Sequence, residues 1–250
     1  MHSRKTAGSS ITVLLNKEIG PKDIQIGVWP DVIKANGKYN NHAISIIKKN
    51  FLEIMKESIK SSLIKRNISI DHGAINRSIR KYFSKNYGLT KGTHSSATQV
   101  KEFAAEYWDK YFKFAFVRNP WDHAVSDFHW RIRNKKNSNI NFKEFLYLLA
   151  DPERLDKEKI RPPIITNWSI YTINNSIALD FIGRYENLED DLKKVEKIIG
   201  VGLNISSNWS KAKIRSKKKC LAEYYDDEGI ELVRKIYKNE IEAFDYKLPF

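Results

Sequence analysis

The chain has 250 residues, 41% of them hydrophobic and 12% aromatic, which is enough to build one sizeable core, and we expect a single domain over residues 1–250. A net charge of +14 predicts anionic partners without choosing between nucleic acid, a membrane surface and an acidic glycan. The single cysteine excludes an intrachain disulfide and a cysteine-based zinc site. No apolar run of membrane-spanning length and no signal peptide is visible, so the sequence as given predicts a cytoplasmic protein.

The first ten residues predict an anion-binding turn. Lys5, Gly8 and several hydroxyl residues come directly before an apolar stretch that begins at Ile11, which is typical of a tight turn feeding a helix. A helix start offers unpaired backbone N–H groups and the positive end of the helix dipole. The glycine allows close backbone approach and a positive φ, and the lysine adds charge. The candidate binding residues are Lys5, Thr6, Ala7, Gly8, Ser9 and Ser10. An ATP-type P-loop is not predicted, because its lysine follows the second glycine.

Three segments follow before the next motif. Apolar residues recur at helical spacing over residues 44–63 and predict one amphipathic helix with its apolar face in the core. Residues 67–91 are polar and predict a loop or a lid of uncertain helix content. A further helix is expected from Ala97 to about Tyr111.

The second motif predicts a strand, a turn and a helix. Residues 112–117 form an apolar and aromatic run of strand length, and Asn119 with Pro120 is typical of a helix cap and first position. Arg118 then lies at the strand end, and Ser126 lies two turns into the helix. The planar arginine fork suits a phosphate that the serine also contacts.

The remaining elements complete an alternating pattern. We expect a helix over 141–150, a buried strand over 178–182, a helix capped by Asn187 and ended by Gly200, and a final helix over about 227–241. Strands alternating with helices predict an α/β domain with a parallel sheet.

In this order the motifs resemble sulfotransferases that use 3′-phosphoadenosine 5′-phosphosulfate (PAPS), specifically the Golgi-type and bacterial carbohydrate sulfotransferases. The family's His-x-Pro-Lys-Thr loop is matched from His2, and its Phe-x-Phe-Val-Arg-Asn-Pro motif from Phe114. Residues 180–188 and 236–246 also agree, so the resemblance covers nearly the whole chain. It implies a P-loop-like three-layer sandwich with a central parallel sheet.

Two positions depart from the family pattern. Arg4 stands where the family has proline, which we interpret as a change in loop stiffness rather than in chemistry. The family's loop follows a buried strand, whereas only Met1 precedes His2 here, so the first strand is expected to be truncated.

The resemblance implies sulfuryl transfer from PAPS to a hydroxyl of a carbohydrate acceptor. The positive net charge of the chain is compatible with an anionic acceptor. Neither a metal nor a nucleic-acid partner is expected. Lys5 would stabilise the leaving 5′-phosphate, and Arg118 with Ser126 would hold the 3′-phosphate. Histidine suits the base that takes the acceptor's proton, and His94 is the first candidate, with His2 as its main alternative.

Several alternatives stay open at this point. The chain could be a degenerate sulfotransferase-fold protein that binds nucleotide without catalysis, or a basic nucleic-acid-binding protein. Trp121 and Trp168 could stack on a ligand or belong to the core, and Arg184 with Glu186 could reach the cofactor or form a buried ion pair. The basic residues within 211–219 could close over the 3′-phosphate or be solvated.

Overall fold

The computed structural model describes residues 1–65, 71–135, 138–203 and 220–250. The first helices are α1 (Gly8–Asn16), α2 (Trp29–Lys34), α3 (Asn41–Lys49), α4 (Phe51–Lys65), α5 (His72–Tyr87), α6 (Ala97–Phe103) and α7 (Ala105–Trp108). The later helices are α8 (Pro120–Ile132), α9 (Phe142–Ala150), α10 (Trp168–Tyr171), α11 (Leu188–Ile199), α12 (Asp227–Ile236) and α13 (Lys238–Ala243). The strands are β1 (Phe114–Val117), β2 (Thr172–Ile173), β3 (Ser176–Ile177) and β4 (Phe181–Arg184).

A small parallel sheet supports the middle of the molecule. Strand β1 pairs in parallel with β4, with Phe114 opposite Phe181, while β2 and β3 form a short antiparallel pair. The amino-terminal segment lies alongside β1. The Met1 amino group donates to the Phe114 carbonyl at 2.6 Å, and the Ser3 hydroxyl donates to the Phe116 carbonyl at 2.5 Å. The α/β class with a parallel sheet is therefore confirmed. Within the described ranges this sheet has two strands, so the three-layer sandwich and the truncated first strand stay predictions.

Three hydrophobic clusters organise the helices. One lies around α8, α9 and α12 and includes Trp121, and a second lies among α2 to α5 and includes Trp29 and Phe83. The third joins Ile11 of α1 to Phe116 of β1 and Leu192 of α11. Because α1 packs directly on β1, the start of α1 is fixed near the end of that strand.

The amphipathic helix expected over 44–63 is two helices, α3 and α4, separated by Asn50, whose side chain donates back to the Ile46 carbonyl at 2.8 Å. Its expected core face is also wrong. Ile54 is buried, but Phe51, Met55 and Ile59 are exposed. Helix α4 therefore packs on its neighbours through fewer apolar side chains than its sequence pattern predicted.

The prediction of a loop or lid over 67–91 is also corrected, since residues 72–87 form the helix α5. The Asp71 side chain caps its start by accepting from the Gly73 N–H at 2.8 Å. Ile75, Ile79 and Phe83 recur at helical spacing and are buried together with Ala74, so a narrow apolar stripe packs an otherwise polar helix against its neighbours.

Other boundaries differ by smaller amounts. The expected helix over 97–111 breaks at Ala104, and the final helix breaks at Tyr237. The strand expected from Ala178 begins at Phe181. The predicted caps fare better: Asn119 accepts from the Trp121 N–H at 3.1 Å, and Gly200 ends α11 with φ 69°, although the Asn187 side chain makes no capping hydrogen bond.

Candidate functional site

Residues 2–7, called here the Lys5 loop, lead into α1 through two left-handed residues. The positive φ angles fall at Lys5 (63°) and Ala7 (60°), and not at Gly8 as the sequence suggested. Gly8 instead leaves room for the His2 ring, because a Cβ added there would lie 2.2 Å from the ring and the His2 side chain would have to move. Non-glycine residues in this conformation cost energy, so the surrounding contacts must hold the loop in place.

Arg118 ties the Lys5 loop to the second motif. Its Nη1 donates to the Lys5 carbonyl at 2.9 Å and to the Ser126 hydroxyl at 3.1 Å. Its other edge is held by Asp122, with Nε and Nη2 at 2.7 and 2.6 Å from one carboxylate oxygen, and its guanidinium lies 4.1 Å from the centre of the Tyr185 ring. Two segments separated by 113 residues in sequence thus meet at one guanidinium.

The Lys5 side chain lies in a restricted, positively charged setting. Its ammonium is 4.8 Å from the centre of the Trp130 ring on α8. The pKa of Lys5 is lowered to about 8, mainly because the ammonium is partly buried; Asp127 acts to raise the pKa, and Arg118 acts with burial to lower it. A partly desolvated ammonium interacts with an incoming anion more strongly than a solvated one does.

Arg4 is the residue whose importance the sequence did not reveal. Its guanidinium forms an ion pair with Asp127 at 2.5 Å, in which both side chains are buried, and it also donates to the partly buried Ile164 carbonyl. The Asn167 side chain accepts from the Arg4 N–H at 2.9 Å and donates to the Arg4 carbonyl at 3.0 Å. Arg4 therefore anchors the Lys5 loop to α8, a larger effect than the change in stiffness that we inferred.

Asp127 is the carboxylate partner at this anchor. Burial alone would raise its pKa, but Arg4, His123 and Arg131 outweigh burial and hold the pKa below its usual range. Since Asp127 directly follows Ser126, the anchor fixes the same helical turn that presents the serine to Arg118.

His94 reaches the Lys5 loop from the other side. Its Nδ1 lies 2.8 Å from the His2 carbonyl, and the two imidazole rings meet edge to face at 4.9 Å. A carbonyl only accepts, so Nδ1 carries the proton and Nε2 carries the lone pair of the neutral ring. Burial lowers the pKa of His94 to about 4, which keeps the ring neutral near pH 7.

Trp130 and Arg133 were also missed, although a signal was present. Ser126 and Trp130 of α8 lie at i and i+4, and Arg133 follows directly after the helix at i+7 with helical backbone angles, so the three share one face. The Arg133 guanidinium stacks on the Trp130 ring at 3.3 Å and forms no ion pair with any described carboxylate. This face therefore adds positive charge beside Lys5.

Four residues considered as ligand contacts have other roles. Trp121 belongs to the core, and the indole of Trp168 packs against Phe244. Arg184 and Glu186 do not pair with one another: the arginine donates to the Phe244 carbonyl at 2.5 Å, and the glutamate accepts from the Asn119 N–H at 2.6 Å. The basic run 211–219 lies outside the described residues.

The described residues offer neither a metal-ligand cluster nor a membrane-spanning helix. In those parts of the chain, no group of three or more His, Cys, Asp or Glu side chains is placed to hold a metal ion. No described helix is both long enough and apolar enough to cross a membrane.

Several known proteins are similar in sequence to this chain. Carbohydrate sulfotransferase 11 of Rattus norvegicus and that of Mus musculus are each 26% identical over an alignment of 172 residues, which covers 56% of this chain and 48% of the relative. An uncharacterized protein of Archaeoglobus fulgidus is 37% identical over 94 residues, 38% of this chain and 72% of the relative. The chain thus spans about half the length of the named relatives, and no solved structure matches. The model of the Sulfotransferase family matches residues 4–247, and the chain belongs to this family.

Proposed function

We propose that the protein transfers a sulfuryl group from PAPS to a hydroxyl of a carbohydrate acceptor. The observation that carries the proposal is the 2.9 Å hydrogen bond from Arg118 to the Lys5 carbonyl, because it joins an anion-binding helix start to an arginine and serine pair. A nucleotide with phosphate groups at both ends fits two neighbouring anion sites, one at the Lys5 loop and one at Arg118, that this hydrogen bond connects.

In this proposal the Lys5 loop holds the 5′ end of the donor. As the acceptor oxygen bonds to sulfur, the bond from sulfur to the 5′-phosphate oxygen breaks, and negative charge gathers on the departing bisphosphate. The Lys5 ammonium and the first N–H groups of α1 stabilise this charge. Arg118 and Ser126 hold the 3′-phosphate and so fix the position of the donor.

His94 is the proposed base. Its neutral ring, with the proton fixed on Nδ1 by the His2 carbonyl, leaves Nε2 to take the proton from the acceptor hydroxyl. His2 remains the alternative, since its ring lies against Gly8 at the start of α1.

The carbohydrate acceptor rests on two supports. Carbohydrate sulfotransferase 11 is named among the relatives, and the α8 face with Arg133 adds positive charge next to Lys5. An anionic sugar chain would be attracted to such a site.

Calorimetry with adenosine 3′,5′-bisphosphate tests the donor assignment. Arg118→Ala should weaken binding by roughly 10- to 100-fold, the usual effect of losing a hydrogen bond to a charged group. Arg154→Ala is the matched control, because Arg154 also stacks on a ring, that of Tyr147 at 4.9 Å, but is exposed on another part of the surface. Equal affinities of the two variants would contradict the assignment.

Transfer assays separate this function from its alternatives. PAPS with a panel of glycans should give sulfated product. Bisphosphate binding without any product would favour the degenerate sulfotransferase, whereas salt-sensitive binding to any duplex without nucleotide affinity would favour nucleic-acid binding.

A further inference from the structure

The outward side of α4 exposes large apolar side chains. Phe51, Met55 and Ile59 lie at i, i+4 and i+8 and are 54%, 40% and 55% exposed, and Leu52 beside them is 76% exposed. Only the opposite edge, which carries Ile54 and Ser58, is buried among the side chains described for this helix. A stripe of this kind on one helix exceeds the scattered exposed apolar residues that are normal on a protein surface.

The charges on α4 are divided between its two sides. Its acidic residues turn toward α5, where Glu53 meets Lys81 at 2.5 Å and Glu57 meets the Nη2 of Arg77 at 2.9 Å. The lysines of α4 whose side chains the structure describes, Lys56 and Lys60, are exposed and form no ion pair with described residues. The outward surface is thus apolar and positive. We call Phe51, Leu52, Met55, Ile59, Lys56 and Lys60 the α4 face.

Further positive charge lies just before this face. Lys48 and Lys49 end α3 and are exposed, and Ile44 of the same helix is 38% exposed. Between residues 41 and 61 the only carboxylates in the sequence are the two that face α5. The exposed lysines of this segment therefore outnumber its carboxylates, and both carboxylates are already paired with α5.

This combination decides between two possible occupants. In a symmetric dimer the α4 face would meet its own copy, which would place lysines against lysines. A surface of anionic lipid instead accepts apolar side chains at the boundary of headgroups and acyl chains, and pairs lysines with phosphates. The net charge of +14 adds long-range attraction to the same surface.

We infer that the α4 face docks the protein on an anionic membrane surface, with α4 lying along the interface. The four apolar side chains enter the headgroup layer, and Lys56 and Lys60 contact lipid phosphates. This docking does not depend on the proposed sulfuryl transfer.

Co-sedimentation with lipid vesicles tests this inference. The protein should bind vesicles of phosphatidylcholine mixed with phosphatidylglycerol and should bind vesicles of phosphatidylcholine alone much less. The double variant Phe51→Ser with Leu52→Ser should reduce partitioning into the mixed vesicles by roughly tenfold or more, because two large apolar groups no longer leave water. Lys56→Glu with Lys60→Glu should reduce it as well.

Matched controls separate a specific face from general attraction by the basic protein. Leu155→Ser removes an apolar residue that is 73% exposed elsewhere, and Lys101→Glu with Lys110→Glu makes the same charge change on exposed lysines outside α4. Both controls should bind nearly as wild type does. The inference is overturned if the controls lose as much binding as the α4 variants, if the mixed vesicles bind no protein, or if sedimentation equilibrium shows a dimer that Leu52→Ser dissociates.

Discussion

The Lys5 loop and the α4 face use charge in opposite ways. At the Lys5 loop, cationic side chains are partly or wholly buried and are held by groups more than a hundred residues away, as Arg118 is by the Lys5 carbonyl and Arg4 by Asp127. On α4 the lysines are exposed, and the ion pairs to α5 lie at the surface. In the first region the buried charges hold the loop and the strand end in fixed positions, whereas in the second the exposed lysines stay accessible to a partner.

This difference shows that an apolar sequence pattern predicts a helix more reliably than it predicts which side of the helix is buried. Periodicity correctly indicated helix over much of residues 44–63, but it did not indicate which side faces the core, because apolar residues lie on both the buried and the exposed sides of α4. At the Lys5 loop the chemistry of the residue types carried more information than their periodicity.

The largest expected effect is at the proposed base. His94→Ala should lower kcat by about 10²- to 10⁴-fold, the usual contribution of a general base, while calorimetry shows unchanged bisphosphate affinity. His94→Asn is a stricter variant, since its amide can still donate toward the His2 carbonyl but cannot act as a base. Should His2→Ala lose more activity than either variant, the roles of the two histidines would have to be exchanged.

A second prediction concerns the anchor beneath the Lys5 loop. Arg4→Met should lower the free energy of unfolding by about 3–5 kcal/mol, because it leaves Asp127 as a buried charge without its main partner. Arg4→Met combined with Asp127→Leu should lose far less, since both charges are removed together. Urea unfolding of the two variants measures this, and an equal loss in both would show that the ion pair is not what holds the loop.

A third prediction follows from the pKa of Lys5. Burial lowers that pKa to about 8, so the ammonium is charged below this pH and loses its proton above it. Bisphosphate affinity should therefore fall as pH rises through about 8, by up to about tenfold per pH unit, because one fewer positive charge meets the ligand. In calorimetric titrations of Lys5→Met, the affinity for the bisphosphate should stay constant over the same pH range. A wild-type profile as flat as that of the variant would contradict a role for this ammonium.

The smallest effect is expected on α4. Leu52→Ser should change the free energy of unfolding by no more than about 0.5 kcal/mol, because the side chain is 76% exposed. Thermal unfolding and bisphosphate binding should match the wild type. A large loss of stability would show that this residue packs against the rest of the protein in solution.

The segments that the sequence singled out do lie together in the structure, but the contacts between them were not predicted. The two motifs and the α/β class could be predicted because helix starts, strand ends and arginine forks have local signatures. Arg4 with Asp127 could not, since a buried pair 123 positions apart leaves no local pattern. The helix α5 was missed because its buried residues are few, and Asn50 splits a continuous pattern into two helices. The single domain and the cytoplasmic location stay predictions.

The central claim is that the Lys5 loop and Arg118 hold opposite ends of one nucleotide, and truncated ligands test it most directly. Calorimetry with adenosine 5′-phosphate, adenosine 3′-phosphate and the bisphosphate should be carried out on Lys5→Met and Ser126→Ala. Ser126→Ala should weaken binding of the two ligands with a 3′-phosphate and leave adenosine 5′-phosphate unaffected. Lys5→Met should weaken binding of the two ligands with a 5′-phosphate and leave adenosine 3′-phosphate unaffected. If each variant weakens all three ligands equally, the two segments do not divide one donor between them.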